Sequence, residues 1–119
     1  MAKVLVVEDD SDVRELIVST LSVKGYDVVF ADNAELGLEK FQNEEPDIII
    51  TDIHMPGKDG LWLISNVRDQ TSEIPIIVLS GYPESREKTL KMQVNAFLIK
   101  PFQAPMLILV LQKAIDSKK

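Results

Sequence analysis

Cysteine is absent from the 119 residues, which removes disulfides, zinc-thiolate centres, iron-sulfur clusters and thiol nucleophiles from consideration. Histidine occurs once, at His54, so a zinc site or general-base role would rest on a single side chain, and that side chain reads as a plain loop residue. Long apolar runs are missing too. The longest, Met106 to Leu111, is six residues against the ~20 needed to cross a bilayer. The start, Met1-Ala2-Lys3, passes straight into Val4-Leu5-Val6-Val7 and then acids, without the pattern of a secretion signal. A cytoplasmic location with no membrane partner is therefore expected. Positive charge is also scarce: 13 basic against 19 acidic side chains gives 13 − 19 = −6, which argues against direct nucleic-acid binding, since phosphates need a basic face. There is no repeat, low-complexity tract or linker. What remains, 45% hydrophobic and 27% charged, is the composition of an ordinary folded domain, and the length suits one domain with a core that needs no staples.

Five short runs rich in Val, Ile and Phe read as buried strands: Lys3 to Val7, Tyr26 to Ala31, Asp47 to Thr51, Pro75 to Leu79 and Ala96 to Ile99. Helical patterns separate them. Residues 12 to 24 carry Val13, Leu16, Ile17, Thr20 and Leu21 at helical spacing, with Gly25 placed for a left-handed stop. In the second helix Asp32 and Glu35 have the spacing of a capping box, and Ala34, Leu38 and Phe41 form the stripe. Helices over 60 to 69, 84 to 92 and 103 to 117 complete the set, with Pro105 in the tolerant first turn of the last. Alternating strands and helices imply an α/β fold, an open doubly wound parallel sheet with right-handed crossovers. For five strands and five helices the flavodoxin-like order 2-1-3-4-5 sets strands 1 and 3 side by side and puts ligands beyond the C-terminal strand ends.

The polar residues at those ends are Glu8-Asp9-Asp10 after strand 1, Asp52 after strand 3, Ser80 after strand 4 and Lys100 after strand 5. Carboxylates converging there repel by about 4 kcal/mol per pair at ~4 Å and an effective dielectric of 20, so the cluster needs a cation. Oxygen ligands select a hard ion, and one that leaves room for substrate oxygens is more typical of Mg²⁺ than of a caged Ca²⁺. A nucleophilic carboxylate, a divalent metal, a fixed ammonium and a hydroxyl donor are parts suited to phosphoryl transfer.

Four segments at these strand ends, Val4 to Asp10, Ile50 to Gly60, Val78 to Gly81 and Phe97 to Phe102, resemble the signatures of the response-regulator receiver domain, and the resemblance spans essentially the whole chain. It implies a single receiver domain over residues 1–119 with no effector domain, acting as a phosphoacceptor and not as an enzyme. Asp52 would take a phosphoryl group from a histidine kinase, a phosphotransfer protein or a small phosphodonor. Glu8 and Asp9 would be the acidic pair of a Mg²⁺ site (Mn²⁺ being an alternative), with Asp52 and the main-chain carbonyl of His54 completing the ligands and Asp10 left as a capping acid. Lys100 would meet the phosphoryl oxygens, and Lys100-Pro101 would be a cis peptide. Ser80 and Phe97 match the switch pair, Phe97 signalling by packing because it lacks a hydroxyl. His54 and Tyr82 occupy the positions that tune hydrolysis and would shield the acyl phosphate. Gln93-Val94 departs from the usual Gly-Ala, leaving helix 4 without its glycine stop.

Other readings of the same residues fail on composition. A calcium loop around Gly57 would need an acid where Leu63 stands and has Pro56 at a ligand position. Asp10-Ser11-Asp12 is similar to the start of haloacid-dehalogenase-type phosphatases, but Val13-Arg14 breaks that pattern and the chain is short for the fold. In the last helix Leu107, Leu111, Ala114 and Ile115 suffice for a core stripe, so Met106, Leu109 and Val110 lie off it. They suggest a partner or homodimer surface on helix 4, strand 5 and helix 5. Trp62 is expected on the exposed side of helix 3.

Overall fold

The computed structural model describes residues 2–117. Strands and helices alternate as β1 (Lys3–Val7), α1 (Ser11–Val23), β2 (Asp27–Ala31), α2 (Ala34–Glu44), β3 (Ile48–Asp52), α3 (Gly60–Gln70), β4 (Ile76–Ser80), a 3-10 turn (Pro83–Ser85), α4 (Arg86–Leu90), β5 (Ala96–Ile99) and α5 (Ala104–Ser117). The five strands are parallel in the order β2-β1-β3-β4-β5, the flavodoxin-like arrangement expected. Registers Val7↔Thr51, Asp52↔Leu79 and Ser80↔Ile99 bring the strand ends level.

Side chains alternate across this sheet and divide the core in two. Leu5, Val7, Ile49, Ile76 and Val78 pack with Leu63, Ile64 and Val67 of α3 and Ala34 of α2. Val4, Val6, Ile48, Ile50, Ile77 and Leu79 pack instead with Ile17 and Leu21 of α1 and Leu107, Leu111 and Ala114 of α5. Val4–Val7 and Ile76–Leu79 are all essentially inaccessible, as befits strands covered on both faces. Burying side chains of this size contributes roughly 1.5–3 kcal/mol each before the entropy of ordering is subtracted.

Several boundaries differ from expectation. β3 runs one residue later, from Ile48 to Asp52; Asp47 precedes it, bonded to Lys3 of β1 through its amide and its carboxylate, both at 2.8 Å. β4 also starts one residue late, at Ile76, since Pro75 has no amide to donate, and β2 starts at Asp27. The capping box does not form. Asn33 caps α2, accepting the Leu36 amide at 2.8 Å, while Asp32 receives the Asn33 side-chain amide at 2.8 Å. Helix 4 is the largest departure: the expected 84–92 is a 3-10 turn followed by only five α-helical residues. Gln93 supplies the missing stop itself at φ 63, and Arg68 of α3 donates to its carbonyl at 3.0 and 2.6 Å. Gly25, at φ 92, ends α1 as expected.

Burial also corrects three side chains. Leu16 is 53% exposed and outside the α1 stripe, Ile115 is only partly buried, and Trp62 is half-buried against the α3 core with the Lys58 ammonium 5.8 Å from its ring centroid. Met106 and Leu109 are exposed, as their position off the α5 stripe implies, whereas Val110 packs partly into the core.

Candidate functional site

β1 is apolar through Val7, and Glu8 follows with its amide held by the Ala31 carbonyl of β2 at 3.1 Å. The Glu8 side chain is thereby buried completely. Asp9 is exposed beside it, and Asp10 turns away to cap α1, accepting the Asp12 and Val13 amides at 2.9 and 3.1 Å. Asp52 is the last residue of β3 and 5% exposed. Its Oδ1 accepts the Ile53 amide at 2.7 Å, which fixes the carboxylate's rotation. One carboxylate oxygen from each of Glu8, Asp9 and Asp52 lies within 4.8 Å of the others.

Lys100 enters this cluster from the end of β5, its Nζ donating to Glu8 Oε1 at 2.6 Å and Asp52 Oδ2 at 2.9 Å. The Lys100-Pro101 peptide is cis, as expected. Burial pushes the Glu8 carboxyl up to about 7; the Lys100 hydrogen bond works against that rise and the charge of Asp52 adds to it. For Lys100, burial alone would lower the ammonium's pKa. Hydrogen bonds to Glu8 and Asp52, with their negative charge, outweigh it and hold the group above its ordinary value. With all three carboxylates ionised, one ammonium leaves two negative charges, and each carboxylate pair at this spacing repels by about 3 kcal/mol. An all-oxygen set with that deficit fits a hard divalent cation such as Mg²⁺.

Ser80 ends β4 and is fully buried, but no hydrogen bond joins it to Asp52 among the described residues. Its Oγ accepts the Tyr82 amide at 3.0 Å and lies 3.3 Å from Ser85 Oγ. Phe97 is half-buried on the α3 side of β5 with Met92 and Val94. His54 is exposed, its amide 3.4 Å from Asp52 Oδ1 and its ring packed edge-on against Tyr82 with centroids 4.3 Å apart. The expected acids and Lys100 thus meet in one cluster, whereas Ser80 and Phe97, expected as the switch pair, make no hydrogen bond to Asp52 among the described residues.

Three supporting residues were not read from the sequence. Arg14 of α1 donates to the Glu8 carbonyl at 2.9 Å, anchoring the turn that carries the acids. Gly60 opens α3 where a Cβ would overlap the Asp52 carbonyl oxygen and stand 2.7 Å from Ile53 Cα, so only glycine lets α3 begin this close to β3. Its amide closes the loop on the Ile53 carbonyl at 2.8 Å. Ser85 is the third. The Arg14 and Ser85 contacts depend on loop and helix placement, which periodicity does not encode. The Asp-Gly pair at 59 and 60 was a visible signal for a tight helix entry, with Asp59 capping Trp62 at 2.9 Å.

Residues 4–112 match the family of response regulator receiver domains. A probable transcriptional regulatory protein from a Picosynechococcus strain is 41% identical over 110 residues, which cover 85% of this chain and 44% of that protein. The transcriptional regulatory protein KdpE of Staphylococcus aureus is 40% identical over 103 residues, again covering 85% and 44%. The chain therefore spans less than half the length of these curated relatives. Among solved structures, a CheY-like receiver domain protein from Methanospirillum hungatei superposes with a TM-score of 0.94 at 25% identity, covering 99% of this chain and 96% of that one. Response regulator TrrA of Thermotoga maritima, solved in complex with Mg²⁺-BeF, gives 0.89 at 32% identity, covering 96% and 99%. Sheet order, strand-end chemistry and sequence agree, and the chain belongs to the response regulator receiver domains of two-component systems.

Proposed function

We propose that this domain receives a phosphoryl group on Asp52 and, once modified, changes the affinity of its α4, β5 and α5 surface for a partner. One observation carries the reading: the Lys100 ammonium bridges Glu8 and Asp52 at 2.6 and 2.9 Å inside a three-carboxylate cluster. Glu8, Asp9 and Asp52, with the His54 carbonyl, would hold Mg²⁺ or Mn²⁺, which supplies neutralisation of charge on the phosphoryl oxygens. Asp52 is the nucleophile. Its carboxylate oxygen forms the new O–P bond as the N–P bond to a phosphohistidine of the kinase or phosphotransfer protein breaks, and the imidazole departs. The Ile53 amide, bonded to Oδ1, orients the attacking group. Lys100 keeps a positive charge against the oxygens through the transfer.

Modification then draws the Ser80 hydroxyl toward the phosphoryl oxygens and Phe97 into the space vacated, a population shift whose size equals the differential contact energy of the two states. The exposed Leu90, Ile99, Met106 and Leu109 give the output face its apolar content for an effector or a second copy of the domain. No separate substrate is turned over, so the domain is a signalling module with self-phosphorylation and self-dephosphorylation chemistry only. It acts in the cytoplasm, a reading supported by the absence, among the described residues, of any helix long and apolar enough to cross a membrane.

Incubation with Mg²⁺ and acetyl phosphate, followed by intact mass, tests this. A gain of about 80 Da, one phosphoryl group, that disappears in Asp52→Asn is the expected result. No adduct, with partner binding unaffected by Asp52→Asn, would instead make the domain an interaction module that signals without phosphorylation.

A further inference from the structure

The contacts of Ser80 point to a residue with no assigned role. Ser80 is fully buried, so its single proton must find a protein acceptor. Three candidate acceptors surround it and can be separated by counting protons and lone pairs. Asp52 is not bonded to it. The Tyr82 carbonyl has two lone pairs, and Ser85 fills both, with its hydroxyl at 2.7 Å and its amide at 3.0 Å; Ser80 approaches the same oxygen only at 3.5 Å. Because the Ser85 proton is spent on Tyr82, the 3.3 Å contact between the two hydroxyls runs from Ser80 to Ser85. Ser80 is left accepting from the Tyr82 amide at 3.0 Å and donating to Ser85. Ser85 is itself pinned, its carbonyl receiving the buried Thr89 hydroxyl of α4 at 2.8 Å.

We infer that Ser85 is a positioning residue that holds Ser80 in its resting orientation, so that the strength of the Ser80-to-Ser85 hydrogen bond sets how readily the domain switches. The inference rests on the proposed role of Ser80 and adds the group that opposes it. For Ser80 to donate to a phosphoryl oxygen on Asp52 it must first release Ser85. Removing the Ser85 acceptor should therefore make switching easier, the opposite of what loss of a structural contact would do.

The test uses the full chain with Mg²⁺ and beryllofluoride as the phosphoryl mimic, read by calorimetry. In parallel, the exchange rate of the Tyr82 amide is measured by NMR in the metal-free protein. Ser85→Ala is expected to tighten beryllofluoride binding roughly fivefold and to speed Tyr82 exchange by a similar factor, the scale of one net hydrogen bond. Ser85→Thr, which keeps the acceptor, should match the wild type, and in a Ser80→Ala background Ser85→Ala should add nothing. Unchanged Tyr82 exchange overturns the inference, as does unchanged or weaker beryllofluoride binding in Ser85→Ala, or an equal effect in the Ser80→Ala background. If the wild type fails to bind beryllofluoride, the proposed function falls, and Tyr82 exchange alone then decides whether Ser85 holds Ser80.

Discussion

The two ends of the site are built to different strengths. At β1 and β3 Glu8 and Asp52 are buried, tied to Lys100 by short charge-assisted bonds, and backed by Arg14 and the close entry of α3 at Gly60. At β4 the hydroxyl is held by neutral contacts of 3.0 to 3.5 Å, next to a five-residue α4 followed by a left-handed Gln93. Charge-assisted bonds are roughly twice as strong as neutral ones. Under the proposed function the difference teaches a division of labour: the end that would do the chemistry is preorganised, and the end that would report it is only lightly tied, so modest energies would suffice to move it.

The sharpest way to break this contrast is at Gly60. Gly60→Ala drives a methyl group into backbone, with no flexible side chain to yield, and should cost about 4 kcal/mol in urea denaturation while displacing Asp52. A smaller effect comes from pH. In the metal-free protein Glu8 titrates near 7 against an ordinary 4.5, so between these values the folded state binds the extra proton. Its stabilising contribution is complete below 4.5 and is lost as pH rises through 7, up to about 3 kcal/mol, and Glu8→Gln should flatten the slope. Lys100 adds no slope in this window, since its contribution is complete below its ordinary 10.5 and is lost only as pH rises from there through its raised pKa.

At the lightly tied end, Gln93→Gly relieves the left-handed backbone and should raise stability by about 1 kcal/mol, measurable as a higher midpoint in denaturant. The smallest expected effect concerns the rim. His54 and Tyr82 meet edge to face beside Asp52, and replacing both with Ala should speed loss of the phosphoryl group roughly threefold by admitting water. A decay rate that does not rise would show that the aromatic pair is no shield.

How much of this was legible in the sequence follows the same divide. Asp52, Glu8 and Lys100 stood out because each is a charge ending an apolar strand, and a parallel sheet gathers strand ends on one side whatever the loops do. Leu16 shows the limit of periodicity, which gives the direction of a stripe but not its width: on α1 only Ile17 and Leu21 reach the sheet fully. Asn33 displaced Asp32 as a cap because both are good caps and the extended backbone at Asn33, φ −154 and ψ 166, decides between them. Length misled at helix 4. Its residues carry helical propensity, but the chain must turn through Pro83 and be stopped at Gln93, where the stabilising partner is Arg68, 25 residues away.

The division of the core has a last consequence for the direction in which signals can travel. Phe97 belongs to the cluster shared with α3 and the α4 loop, whereas Leu98 on the same strand faces the cluster shared with α5. A rotation of Phe97 is felt through side-chain contact only on its own side of the sheet. To reach α5 it must go round the open edge of β5, through Ile99 and the chain leading to Phe102, or bend the strand itself. If Phe97 switches as proposed, the domain would be anisotropic as a transmitter, with a short mechanical path to α4 and a longer one to α5. A partner that gripped both helices would then read two responses of unequal gain.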